Sequence, residues 1–214
     1  MTKQKQHQNL SQSRDGGYTI IESLVAMIVV SVLMIAIAPV MAFSVATRVQ
    51  ARRTELATQA AKTYIDGLRS ESIKFNDQKT KGFPAKSLTA INPEDLANEP
   101  APGSKDALYC LDMDGGGCET SSNKDFYVQG AWLNKDVAAA GDPTSKGYQL
   151  LVRVYRADSF APGAAPLKAP KGAPKQSVVG SGLGDKTMPV VEMSTEIPAT
   201  ENPYKSISDR LKKP

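Results

Sequence analysis

Hydrophobic and polar positions fall into blocks along this chain. Residues 1–17 are polar and basic, and from Leu24 to Ala46 no side chain is charged, with nearly every residue small, β-branched or aliphatic. A helix of about 23 such residues, rising 1.5 Å each, covers a hydrocarbon core of roughly 30 Å. Past Ala46 the pattern changes. Arg48, Arg52, Arg53 and Glu55 enter, while Val45, Val49, Leu56, Ala60, Tyr64 and Leu68 recur at helical spacing. The helix is therefore predicted to run on as an amphipathic half to about Ser72, weakened by Gly67. Asn76-Asp77 and Gly82-Phe83-Pro84 end the pattern. Only this second half has a face suited to packing on a folded domain. A coiled-coil stalk is the alternative, but the stripe is short and alanine-rich, and a helix lying on a small sheet fits better.

Three later segments read as strands. Asp125 to Leu133 holds Phe126, Val128 and Trp132. Tyr148 to Tyr155 sets Tyr148, Leu150, Val152 and Val154 on one face against Gln149, Arg153 and Tyr155 on the other, with Leu151 the exception. Val190 to Ile197 is the third. Between the last two lies a Pro/Gly/Ala-rich tract at about 161–187, which cannot bury enough apolar surface to order itself and is predicted to be a mobile surface loop. The end from Pro198 onward has a similarly loose composition. The fold expected is α+β, a long N-terminal helix whose C-terminal half packs on a small antiparallel sheet. Its parts are a leader at 1–17, a membrane-spanning helix at 18–46, an amphipathic helix at 47–73 and a single β domain at 74–214.

One residue does not fit an ordinary membrane anchor. Glu22 sits just inside the helix, where a carboxylate in a bilayer costs about 2.5–3.5 kcal/mol at the centre and less near the interface. Cutting between Gly17 and Tyr18 would create an α-amino group one helical turn away, mostly protonated near neutral pH with a pKa of about 7.7–8.0. That amine can satisfy Glu22 of its own chain or of a neighbour, and the second arrangement sets the register of identical helices. A capping role for Glu22 at a membrane interface is the plainer alternative, but leaves the leader unexplained. No Ala-x-Ala-like signal-peptidase site closes the apolar run, since Ala36-Ile37-Ala38 lies inside it. Pro39 removes a backbone donor within the helix, costing about 3 kcal/mol in a helix interior, and predicts a kink or local unwinding.

Gly17-Tyr18-Thr19-Ile20-Ile21-Glu22, followed by this apolar helix, resembles the type III signal of type IV pilins and type II secretion pseudopilins. The resemblance implies that Gly17 is the last leader residue, that a prepilin peptidase cuts after it, and that Tyr18 becomes the N-methylated first residue. It implies an assembly role for Glu22 and Pro39. Tyr18 stands where Phe is commoner, and Glu22-Ser23-Leu24-Val25-Ala26 is a variant typical of minor pilins. Implied partners are other pilins or pseudopilins and an inner-membrane assembly platform.

Charge and composition narrow the classes further. The chain carries a formal net charge of +4 and one histidine. Lys3, Lys5 and Arg14 against Asp15 supply two of those positive charges, so a cleaved chain keeps +2 and offers no argument for nucleic-acid binding. The basic leader favours a cytoplasmic N-terminus and a domain outside the plasma membrane. His7, the sole histidine, leaves with the leader, which removes Ser-His-Asp, Cys-His and histidine-metal chemistry from the mature chain. No phosphate-cradling Gly-x-x-x-x-Gly-Lys loop is present, and the chain is not expected to be an enzyme.

Cys110 and Cys118 can close a small disulfide loop in an oxidising compartment. Between them Asp112 and Asp114, beside Gly115-Gly116-Gly117, offer oxygens for calcium or simply make an Asx/Gly turn. The EF-hand spacing is incomplete, and no cofactor is required. Leu108-Tyr109-Cys110-Leu111-Asp112-Met113-Asp114-Gly115, Asp125-Phe126-Tyr127-Val128-Gln129, Gly147-Tyr148, Val152 to Asp158 and Ser44 to Arg53 are together similar to the cyanobacterial hormogonium polysaccharide secretion pseudopilins. That resemblance implies a minor component of a machine that exports polysaccharide and supports gliding. A glycan- or calcium-binding adhesive pilin, or an anchored domain that never assembles, are the competing readings.

Overall fold

The computed structural model describes residues 19–75, 82–137, 141–170 and 185–200, with Tyr204 and Ser208. Gly17, Tyr18, Asn76, Asp77 and most of the predicted mobile loop lie outside the described residues. The chain divides into two compact units, one ending at Ser44 and the other beginning at Val45.

Helix α1 spans Ile20–Arg69. In the first unit it is exposed along its whole length, and its large apolar side chains from Ile20 to Phe43 have no cover. It is one helix long and apolar enough to cross a membrane. The helix passes through Pro39 without interruption, so the predicted local unwinding is absent. Ala36 and Ala38 in the turn before the proline are strong helix formers, and helices of this apolar length accommodate an internal proline.

In the second unit the same helix packs on a sheet. Its buried face is Ala57, Ala60, Ala61, Tyr64, Ile65 and Leu68, set against Phe126, Val128, Trp132, Tyr148, Leu150, Val152, Val154, Val191 and Ile197. Small residues along the face let the helix approach closely. Val45 and Val49, the predicted start of the stripe, are exposed, and burial begins at Gln50. At the helix end Ile73 folds back, its N–H donating to Gly67 O at 3.0 Å. A Cβ on Gly67 would sit 2.9 Å from Ile73 Cδ1, so the glycine that weakens the helix also makes room for this return.

The strands are β1 (Ala85–Lys86), β2 (Tyr109–Leu111), β3 (Phe126–Leu133), β4 (Tyr148–Arg156) and β5 (Val191–Ile197), with short 3-10 helices η1 (Pro93–Asn98) and η2 (Ala157–Phe160). The order is β1-β3-β4-β5, and β2 pairs with β3 as well. The sheet is mixed rather than antiparallel: β1 pairs parallel to β3 through Ala85↔Ala131 and Lys86↔Trp132, while β2–β3, β3–β4 and β4–β5 are antiparallel. A parallel pair needs a long crossover, and the stretch carrying η1 and β2 provides it.

The second sheet face is covered too. Leu96 of η1 packs with Ala131, Leu133 and Leu151, and Leu108 packs with Tyr127 and Ala157. This explains why Leu151 broke the predicted alternation: it meets η1, not solvent. Gly130 is required by close packing on the helix face, since a Cβ there would collide with Tyr64 Oη and lie 2.6 Å from Pro84 Cβ.

The described ends of the loop at 161–187 are tied down. Lys168 N–H donates to Thr187 O at 2.8 Å, and Tyr155 Oη donates to Lys168 O at 3.2 Å. Beyond Pro198 the chain is fixed at least to Thr200, whose N–H donates to Thr144 O at 2.9 Å beside a buried Ala199. Composition missed both, because these contacts use backbone groups that any residue supplies.

Candidate functional site

At the front of α1 the backbone explains where the helix begins. Thr19 O accepts from Glu22 N at 3.0 Å and Ser23 N at 3.2 Å, and Thr19 Oγ1 accepts from Glu22 N at 3.3 Å. Thr19 is thus the N-cap, and Glu22 occupies the third helical position of a Thr-x-x-Glu sequence. The cap uses the Glu22 backbone N–H. Its carboxylate is exposed, is favoured there by the helix dipole, and has no hydrogen-bond partner among the described residues. The helix starts two residues after Tyr18, which with Gly17 lies outside the described residues.

In the second unit Cys110 and Cys118 form a disulfide with Cα atoms 6.3 Å apart. Inside this loop Asp112 is a backbone anchor. Its Oδ1 accepts from Gly115 N at 2.7 Å and Asp114 N at 2.9 Å, and its Oδ2 from Gly117 N at 2.7 Å. These bonds hold its carboxyl below the ordinary carboxylate range, with Gly115 and Gly117 contributing most. Gly115 and Gly117 take φ of 83° and 85°, which the turn demands and glycine supplies without strain.

Asp114 lies beside Asp112, and the fold adds Asp125, whose ligand oxygens lie within 4.8 Å of theirs. These three could each offer one oxygen to a hard cation. Buried Asp125, however, already accepts from Met113 N at 3.3 Å and Glu119 N at 3.1 Å, while Asp114 accepts from Ser122 Oγ at 3.1 Å. The arrangement is one in which carboxylates organise backbone around the disulfide.

Arg153, which the alternation of β4 set opposite its apolar face, is buried, and so is Arg156 at the end of the same strand. Arg153 is 0% exposed. Its Nε donates to Glu192 at 2.6 Å, and its terminal nitrogens donate to Glu99 O at 2.5 Å and Ala97 O at 2.6 Å. It therefore clamps the end of η1 to the sheet. Arg156, also buried, pairs with Asp158 beneath Arg53 of α1. For Arg153 the hint in the sequence was Leu151, on the same face of β4 and covered by Leu96 of η1.

Residues 12–38 match the family model described as the prokaryotic N-terminal methylation motif. This match supports a type IV pilin-like or pseudopilin-like subunit anchored in a membrane by one helix. Motifs of this kind mark structural subunits that associate with other pilins and are processed by a prepilin peptidase. No curated protein and no solved structure matches the chain.

Proposed function

We propose that the chain is a minor pilin or pseudopilin of a type IV pilus-like or type II secretion-like apparatus. A prepilin peptidase cuts between Gly17 and Tyr18, Tyr18 is N-methylated, and α1 holds the subunit in the plasma membrane with its second unit on the extracytoplasmic side. The carrying observation is the conjunction of the methylation motif with a helix whose apolar first part is bare and whose second part packs on a sheet. A bare apolar helix bearing an exposed carboxylate at its capped front suits first a bilayer and then a bundle of like helices. The Cys110–Cys118 disulfide fits an oxidising compartment.

The finer reading is a role in polysaccharide secretion and gliding motility, supported by the sequence blocks from Ser44 to Arg53 and from Leu108 to Asp158. Mass spectrometry of the native protein tests the core of the proposal. A methylated Tyr18 terminus, with co-purification of other pseudopilins, is expected; an intact Met1 end in assembled material would overturn it. Loss of extracellular polysaccharide on deletion, with the other pseudopilins still present, tests the finer reading.

A further inference from the structure

Just past the end of its apolar run, α1 presents two arginines that the sheet does not use. Arg48 and Arg52 are exposed, and neither makes an ion pair with a described residue. Four residues apart, they share one helix face at a separation of roughly 6 Å along the axis. Arg53 is engaged elsewhere: it is half-buried, and its electrostatic neighbours are Arg156 and Asp158. No acid occurs between Glu22 and Glu55, so this part of the chain carries positive charge alone. The start of the second unit is also uncovered, since Val45 and Val49 are exposed and burial begins at Gln50.

The depth of the two arginines matches a membrane surface. Ala46 ends the apolar run, and at 1.5 Å per residue Arg48 and Arg52 lie about 3 Å and about 9 Å beyond it. The headgroup layer on each side of the hydrocarbon core is about 5–8 Å thick, within reach of a long arginine side chain from either position. Basic residues at a translocated end run against the positive-inside bias that the leader serves, so orientation does not account for them. We propose that Arg48 and Arg52 bind the phosphate of anionic phospholipids in the outer leaflet of the plasma membrane. Each planar guanidinium donates a pair of parallel hydrogen bonds to phosphate oxygens, and Val45, exposed three residues earlier, meets the acyl chain. The inference rests on the membrane-anchored, extracytoplasmic reading above. It adds which lipid the subunit holds before it is drawn into an assembly.

Native mass spectrometry of the full chain, purified in detergent and titrated with phosphatidylglycerol or phosphatidylcholine, provides the test. Wild type is expected to bind phosphatidylglycerol about 25-fold tighter, about fivefold for each arginine. Arg48→Gln and Arg52→Gln should each lose about fivefold of that preference, and the double variant all of it. Glutamine is a good helix former, so these exposed positions stay helical. Lys62→Gln, exposed about 24 Å beyond Ala46, should leave the preference unchanged. Inorganic phosphate at matched ionic strength should not displace the lipid, because it has no acyl chain. Equal binding of the two lipids, a preference that survives in the double variant, or displacement by phosphate would overturn the site. A double variant that keeps the lipid preference but no longer co-purifies with other pseudopilins would overturn it in favour of an acid on a neighbouring subunit. Loss of lipid selectivity in a chain that carries a methylated Tyr18 and co-purifies normally removes the lipid contact and leaves the subunit reading intact. An intact Met1 end in assembled material defeats that reading whichever lipid is preferred.

Discussion

Arg153 stands directly opposite Glu192 across the β4–β5 ladder, and its Nε donates to the Glu192 carboxylate at 2.6 Å. The other two guanidinium nitrogens hold the carbonyls of Ala97 and Glu99, so one side chain joins two strands to η1. Arg153→Ala would strand a carboxylate and two carbonyls together, a change that costs about 3–5 kcal/mol when a buried pair loses one partner. Glu192→Gln keeps an acceptor but leaves the buried Arg153 charge to the two carbonyls alone, and should cost less, about 1.5–3 kcal/mol. Urea unfolding of the two variants checks the ranking; equal losses would show that the clamp on η1 contributes nothing beyond the ion pair.

That clamp also shows where sequence reasoning ran out. β3, β4 and β5 were legible because each is long enough for alternation, and the N-terminal methylation motif over residues 12–38 because it is local. β1 and β2 span two and three residues and have no period to detect. η1 offers only Leu96 as a buried apolar residue, so its cover of the second face was invisible except through Leu151. Asp125 was missed as a neighbour of Asp112 because nothing in spacing predicts that β3 begins beside the disulfide loop.

The Asp112 turn makes a pH prediction. Its folded pKa is depressed by backbone N–H donors, so its contribution to stability is present above the ordinary carboxylate value of about 3.9 and lost as pH falls through the lower folded value. Thermal melts below about pH 4 should converge for wild type and Asp112→Ala, with wild type the more stable above it. A gap that stayed constant into acid would defeat the charge argument. Because three N–H groups already occupy Asp112, chelator should leave the melting temperature unchanged at neutral pH. A calcium-dependent rise of several degrees would instead make Asp112, Asp114 and Asp125 a cation site.

Gly130 tests the helix–sheet contact. Its missing side chain leaves room for Tyr64, whose Oη donates to Gly82 O at 2.7 Å. Gly130→Ala is expected to destabilise by about 1–3 kcal/mol through overpacking. Tyr64→Phe loses that hydrogen bond but also removes the oxygen that the new methyl would strike, so the double variant should be less destabilised than the sum of the two. Strict additivity in denaturant unfolding would mean that the methyl added at position 130 clears Tyr64 by displacing something else.

Glu22 separates processing from assembly. Its N–H, not its carboxylate, is held by Thr19, so Glu22→Ala keeps the helix start and alters neither residue of the Gly17-Tyr18 sequence. The variant should be cleaved as wild type is, and should enter the bilayer more readily with one charge fewer. It loses the group that a neighbour's terminal amine would meet, and Glu22→Gln, which keeps the shape without the charge, should share the defect. Co-purification with other pseudopilins is expected to fall by about tenfold for both, the loss of a single desolvated charge pair. Cleavage and incorporation measured on the same sample decide the matter: full cleavage with unchanged incorporation would show that the carboxylate serves only the helix end on which it sits.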